Sequence, residues 1–170
     1  LTELRNTSLQ RRAPDGRRIG PPIPLRAEIG RPTLVLGVSG AGKTSLLKQI
    51  AGWIGDDVFC CGPDAVAAAE RRSLATLCLH DAAILNDTVR ANLFGASASD
   101  ARLWEALEAV ELADRMREAG GLDGWVRQDM LSLGEAQRLN LARLWLTDRP
   151  VVLIDEPTEH LDKEQCPRIL

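Results

Sequence analysis

Gly37-Val38-Ser39-Gly40-Ala41-Gly42-Lys43-Thr44 decides the reading of this 170-residue chain. The stretch matches G-x-x-x-x-G-K-[ST], a loop whose backbone cradles phosphate. Thr33-Leu34-Val35-Leu36 before it reads as a buried strand, and Ser45-Leu46-Leu47-Lys48-Gln49-Ile50 after it as the first turns of a helix with an apolar face. Glycines let successive N–H groups curl toward one anion, and the helix N-terminus adds a partial positive charge. The residues expected to line a nucleotide are Gly37, Ser39, Gly40, Ala41, Gly42, Lys43, Thr44 and Ser45. Lys43 reaches for the β- and γ-phosphates, and the Thr44 hydroxyl is a ligand for Mg²⁺. ATP and Mg²⁺ are the implied cofactors.

Composition narrows the rest. Twenty-one basic against twenty-four acidic residues give a net charge of −3, which argues against a nucleic-acid partner held by general electrostatics. No stretch approaches the ~20 apolar residues of a membrane span, and no signal peptide is visible. Four cysteines show no C-x-x-C spacing, and the adjacent Cys60-Cys61 read as small buried residues. A reducing, cytosolic setting fits. The first residue is leucine, so the chain reads as a piece of a longer polypeptide.

Outward from the loop, residues 1–31 read as a small antiparallel sheet, with Pro14-Asp15-Gly16 as a hairpin turn. Asp57 to Cys61 is expected as a short strand, Ala65 to Arg72 as an alanine-rich helix, and Leu74 to Leu79 as a buried strand ending at His80. Ser99 to Ala119 is expected as a helix capped by Ser99, with Trp104 and Trp125 in packing roles. Gly134 to Thr147 reads as another helix. Val151-Val152-Leu153-Ile154 is a β-branched run with the character of a central parallel strand. Strands alternating with helices around a phosphate loop give an α/β fold with a parallel-sheet core. At the carboxyl end of the last strand, where such sheets bind ligands, stand Asp155 and Glu156. Asp155 is suited to hold Mg²⁺ and Glu156 to deprotonate an attacking water, which makes the pair catalytic rather than a helix cap.

Further motifs carry a family resemblance. Leu131-Ser132-Leu133-Gly134-Glu135-Ala136-Gln137-Arg138 is similar to the LSGGQ signature of ABC ATPases, Asp155-Glu156-Pro157-Thr158 to their Walker B motif, and Glu159-His160-Leu161-Asp162 to their D-loop. Asp87-Thr88-Val89-Arg90-Ala91-Asn92-Leu93 resembles the segment after the Q-loop in exporter-type domains, which puts His80 at the Q-loop glutamine position. The resemblance implies a phosphate-loop NTPase of ABC type. It divides into a β subdomain over residues 1–31, a core over 32–80 and 148–170, and a helical subdomain over about 81–147.

It also implies an ATPase in which Lys43, Glu156 and His80 are catalytic, Thr44 and Asp155 hold the metal, and Ser132, Gly134 and Asp162 serve the ATP of a second nucleotide-binding domain. A transmembrane exporter domain is the other implied partner, at the cytoplasmic face of the inner membrane. Thr158 to Asp162 together with Gly134-Glu135-Ala136 resembles the thiol (cysteine/glutathione) exporter of cytochrome bd assembly.

Three departures stand out. Leu133 replaces the first signature glycine, no aromatic stands near residue 11 to stack on adenine, and the switch histidine of the family falls past Leu170. Arg11 or Arg12 is left as the stacking candidate, since a guanidinium stacks on an aromatic face. The departures favour a heterodimer or a fragment. They also leave open a second reading, a regulatory half that binds ATP and turns it over poorly. A chromosome-maintenance ATPase is set aside, because no sustained heptads run from Ile50 to Leu131.

Overall fold

A computed structural model describes residues 2–81, 83–95, 97–161 and 163–169. The chain divides into two compact units, residues 1–77 with 149–155, and residues 78–148 with 156–170.

In the first unit β1 (Glu3–Leu9) pairs antiparallel with β2 (Ile23–Glu28) on one side and β3 (Phe59–Cys61) on the other, and β4 (Asp64–Val66) completes a four-stranded sheet in the order β2-β1-β3-β4. Leu4 and Leu9 are five residues apart, so strict alternation would put them on opposite faces. A register irregularity between Asn6 and Leu9 resets the alternation, and both leucines are buried. Asn6 helps to make it, its Oδ1 accepting the Ser8 N–H at 2.9 Å. The sheet packs against α1 (Lys43–Ile50) through Leu4, Leu9, Leu25, Leu46, Ile50 and Phe59, with Ile23, Val35 and Leu153 alongside.

The far end of α1 is held by Arg71 of α2 (Ala68–Leu74). Its guanidinium is 1% exposed, lies 4.3 Å from the Phe59 ring centre, and donates to the carbonyls of Ile50 (2.9 Å), Val66 (3.0 Å) and Gln49 (3.4 Å). These carbonyls include that of Ile50 at the C-terminus of α1, where a cation is favoured. β5 (Ala75–Cys78) and β8 (Val151–Ile154) form a two-stranded sheet.

The second unit is largely helical. Ser99 caps α4 (Asp100–Ala109) as expected, its hydroxyl accepting the Arg102 N–H at 3.3 Å. The helix expected over Ser99 to Ala119 is two helices: Glu111, at φ 54, breaks the chain before α5 (Ala113–Glu118). α4 packs on α6 (Leu133–Trp145), and Leu103, Leu107, Met116 and Leu139 have no exposed surface. A short hairpin of β6 (Asp87–Thr88) and β7 (Trp125–Val126), with α3 (Val89–Asn92) and the terminal α7 (Cys166–Ile169), completes the unit.

Four local expectations are corrected. Ala65 and Val66 belong to β4, so the alanine-rich helix starts later; cross-strand pairing of Cys60 with Ala65 outweighs alanine's helix preference. Thr33 to Leu36 joins no strand ladder among the described residues: Val35 packs on the core, while Leu34 and Leu36 are 79% and 81% exposed. Their alternation is that of a one-sided extended segment, not of a strand covered on both faces. Cys60 and Cys61 are half-buried, and Trp125 is exposed while Trp104 stacks under Arg117.

Candidate functional site

In the first unit the phosphate loop runs into α1 through two left-handed glycines, Gly40 at φ 79 and Gly42 at φ 87. A Cβ on either would meet nothing within 4 Å, so the left-handed backbone, not lack of space, is what calls for glycine there. Gly42 occupies the N-cap position of α1 and no side chain caps the first turn. The first turn of a helix carries backbone N–H groups that intrahelical bonds do not satisfy, and such groups favour an anion. Ser45 is buried in that turn, and Ser39 is exposed. Lys43 lies back along the loop, donating from Nζ to the carbonyls of Gly37 (3.0 Å) and Val38 (3.2 Å). Those two carbonyls hold the ammonium beside the loop's N–H groups.

The contact that joins distant sequence is Thr44 Oγ1 donating to Asp155 Oδ2 at 2.7 Å, across 111 residues. Asp155 is 2% exposed. A hydroxyl and a carboxylate side by side are hard oxygen ligands, the donor set Mg²⁺ takes, and they adjoin the open phosphate cradle. Residues and chemistry fit ATP with Mg²⁺.

The N-terminal arginines divide. Arg12 pairs with Asp57 at 3.2 Å and donates to the Gly16 carbonyl at 3.3 Å, so its guanidinium is committed to the fold. Arg11 rests on Gly20, its buried Nε making no hydrogen bond. Asp57 also accepts from Gln49 Nε2 at 2.8 Å. Burial raises its pKa most strongly, but the hydrogen bonds from Gln49 and Arg12 together hold it below 3.8.

The second unit carries the remaining residues. His80 is exposed just beyond β5. The chain on both sides of it is tied to α6: Asn140 Nδ2 donates to the Leu79 carbonyl (2.7 Å), and Arg143 donates to the carbonyls of Ala83 (2.7 Å) and Asn92 (2.8 Å) while lying 4.2 Å from the Phe94 ring centre. Glu156 is exposed with φ 47. Ser132 is the N-cap of α6 in a complete capping box: its hydroxyl accepts the Glu135 N–H (3.1 Å) and its own N–H is accepted by the Glu135 carboxylate (2.8 Å). The expectation had Ser132 free for a phosphate and overlooked Glu135, although S-x-x-E before an apolar run signals this arrangement. Leu133 is 63% exposed beside it. Gly134 packs beneath the backbone of His160. Asp162 lies outside the described residues.

Comparison with known proteins bears on these motifs. The family model described as ABC transporter matches residues 22–159. The chain belongs to the ABC transporter family. Relatives of this ABC chain include the ABC transporter ATP-binding protein RamB of Streptomyces coelicolor, 37% identical over 147 residues, covering 82% of this chain and 24% of that protein. Another is the glutathione/L-cysteine transport system ATP-binding/permease protein CydC of Escherichia coli, 36% identical over 157 residues, covering 87% of this chain and 27% of that protein. The ABC chain thus spans about a quarter of the length of these relatives. Its fold is that of a bacterial Atm1-family ABC exporter solved with ATP bound, at a TM-score of 0.83 and 24% identity, over 99% of this chain and 31% of that one. The ABC resemblance and the α/β phosphate-loop fold expected from the motifs are both met.

Proposed function

We propose that this chain is the ATP-binding and hydrolysing domain of an ABC exporter. The observation that carries the reading is the 2.7 Å contact of Thr44 with Asp155, two oxygen donors close to Lys43 and the start of α1, which supports a metal-ligand role for the pair. In this reading the loop N–H groups from Gly37 to Ser45 and the Lys43 ammonium bind the phosphates. Thr44 and Asp155 hold Mg²⁺, which when bound neutralises charge on the β- and γ-phosphates. Glu156 accepts a proton from the water that attacks the γ-phosphorus, releasing ADP and phosphate; such a base contributes ~10²–10⁴ in rate. His80 links the site to a transmembrane domain. Ser132 and Gly134, with Asp162, serve the ATP of a second nucleotide-binding domain.

The setting is the cytoplasmic face of the inner membrane, and no helix among the described residues is long and apolar enough to cross it. The CydC relative, named for glutathione/L-cysteine transport, supports a thiol, cysteine or glutathione, as cargo, and the departure at Leu133 supports a heterodimer as the assembly. A second reading, the regulatory half, is favoured by one feature: exposed Leu133 and the Glu135 carboxylate occupy the end of α6 that a partner's phosphate would approach. ATP turnover by this domain with its partner domain separates the two. Steady hydrolysis that vanishes in Glu156→Gln supports the first. Nucleotide binding without turnover in either arrangement refutes it and selects the second.

A further inference from the structure

We propose that Gly134 is a positioning residue for Glu156 of its own chain, acting through the backbone of His160. The inference rests on the hydrolytic reading above. It starts from the segment after Asp155, where two residues other than glycine adopt left-handed backbone, Glu156 at φ 47 and His160 at φ 63. Each such residue strains the backbone and persists only where the surroundings impose it. Two overlapping turns do part of this, the Glu159 N–H donating to the Glu156 carbonyl (3.0 Å) and the Leu161 N–H to the Thr158 carbonyl (3.2 Å).

The other part comes from α6. A Cβ built on Gly134 would stand 2.7 Å from the His160 carbonyl oxygen, closer than real Cβ atoms approach backbone. His160 therefore rests directly on the first turn of α6. Gly134 is helical, so its conformation suits any residue, and glycine in a helix is less favourable than alanine. Donating an N–H to a phosphate does not require glycine either. The missing side chain is required on the side that faces His160. Displacing the start of α6 displaces the His160 carbonyl and, through the two turns, Glu156. The signature end of the helix thereby governs the base in its own chain, in addition to any role toward a partner's nucleotide.

The test uses the assembled transporter with the partner domain's phosphate-loop lysine replaced by alanine, so that turnover comes only from the phosphate loop of this chain. In a sandwich dimer that site is completed by the partner's signature, so a Gly134 that only contacts nucleotide plays no part in it. Gly134→Ala is expected to lower kcat by at least about tenfold, since a 1 Å misplacement costs up to ~10²-fold, with KM for ATP changed less than about twofold. Adding His160→Gly, which frees the carbonyl to move aside, is expected to restore part of kcat. Full wild-type kcat in Gly134→Ala overturns the proposal alone. A loss of kcat accompanied by loss of ATP binding and no recovery in the double variant also overturns it, as general damage. No turnover by the unsubstituted chain in this arrangement overturns the hydrolytic reading, and the proposal with it.

Discussion

Replacing Thr44 by valine removes one hydroxyl and keeps the shape of the side chain. The hydroxyl donates to Asp155 at 2.7 Å, and Asp155 is 2% exposed, so water does not replace the lost donor freely. A hydrogen bond to a charged group contributes roughly 1.5–3 kcal/mol, and a buried carboxylate deprived of one sits at the upper part of that range. With a urea m-value of about 2 kcal/mol per M, Thr44→Val is expected to lower the unfolding midpoint by roughly 1 M. Thr44→Ser keeps the donor and is expected to stay within about 0.5 kcal/mol of wild type. Urea unfolding followed by far-ultraviolet circular dichroism, without nucleotide or metal, reads both. A valine variant as stable as the serine variant would refute the pairing of the two motifs and the metal site built on it.

Other consequences are as direct. Glu156→Gln is expected to reduce turnover by about 10²-fold or more while leaving ATP affinity within about twofold, read by single-turnover hydrolysis and calorimetry. Arg71→Met removes the donor to the Ile50, Val66 and Gln49 carbonyls and is expected to destabilise by roughly 3 kcal/mol or more in thermal or urea unfolding. Asp57 has a folded pKa below 3.8, so its stabilising contribution is fully present above that value and lost as pH falls through the lower folded one. Asp57→Asn is accordingly expected to flatten the acid limb of a stability-versus-pH curve, and an unchanged limb would contradict the Arg12–Asp57–Gln49 cluster.

Much of this molecule was legible because its chemistry is local. The phosphate loop, the Ser99 cap and the β-branched run before Asp155 each announce themselves within a few residues. The loop leads into α1, Ser99 caps α4 and the run forms β8, though β8 pairs with β5 alone among the described residues rather than lying centrally in a sheet. What escaped depends on partners far along the chain. Arg71 sits in a stretch that reads simply as an alanine-rich helix, yet it is buried and donates to four carbonyls, those of Gln49, Ile50, Asp57 and Val66. Thr33 to Leu36 reads as a covered strand from its composition, but cover is a property of neighbours, and Leu34 and Leu36 are exposed. The capping box of Ser132 and Glu135 was readable, and was masked by the stronger signal of the signature motif around it. The approach of His160 to Gly134 had no sequence signal, because a glycine inside a known motif already had an explanation.

The central claim is that the uncapped start of α1, Lys43 and the Thr44–Asp155 pair form one Mg²⁺-dependent ATP site. Isothermal titration of ATP into the chain, with and without Mg²⁺, tests it most directly when wild type is compared with Lys43→Ala and Asp155→Asn. The account predicts saturable binding by wild type that Lys43→Ala abolishes, and a dependence on Mg²⁺ that Asp155→Asn removes. Binding that is indifferent to both substitutions, or no binding by wild type, would contradict it.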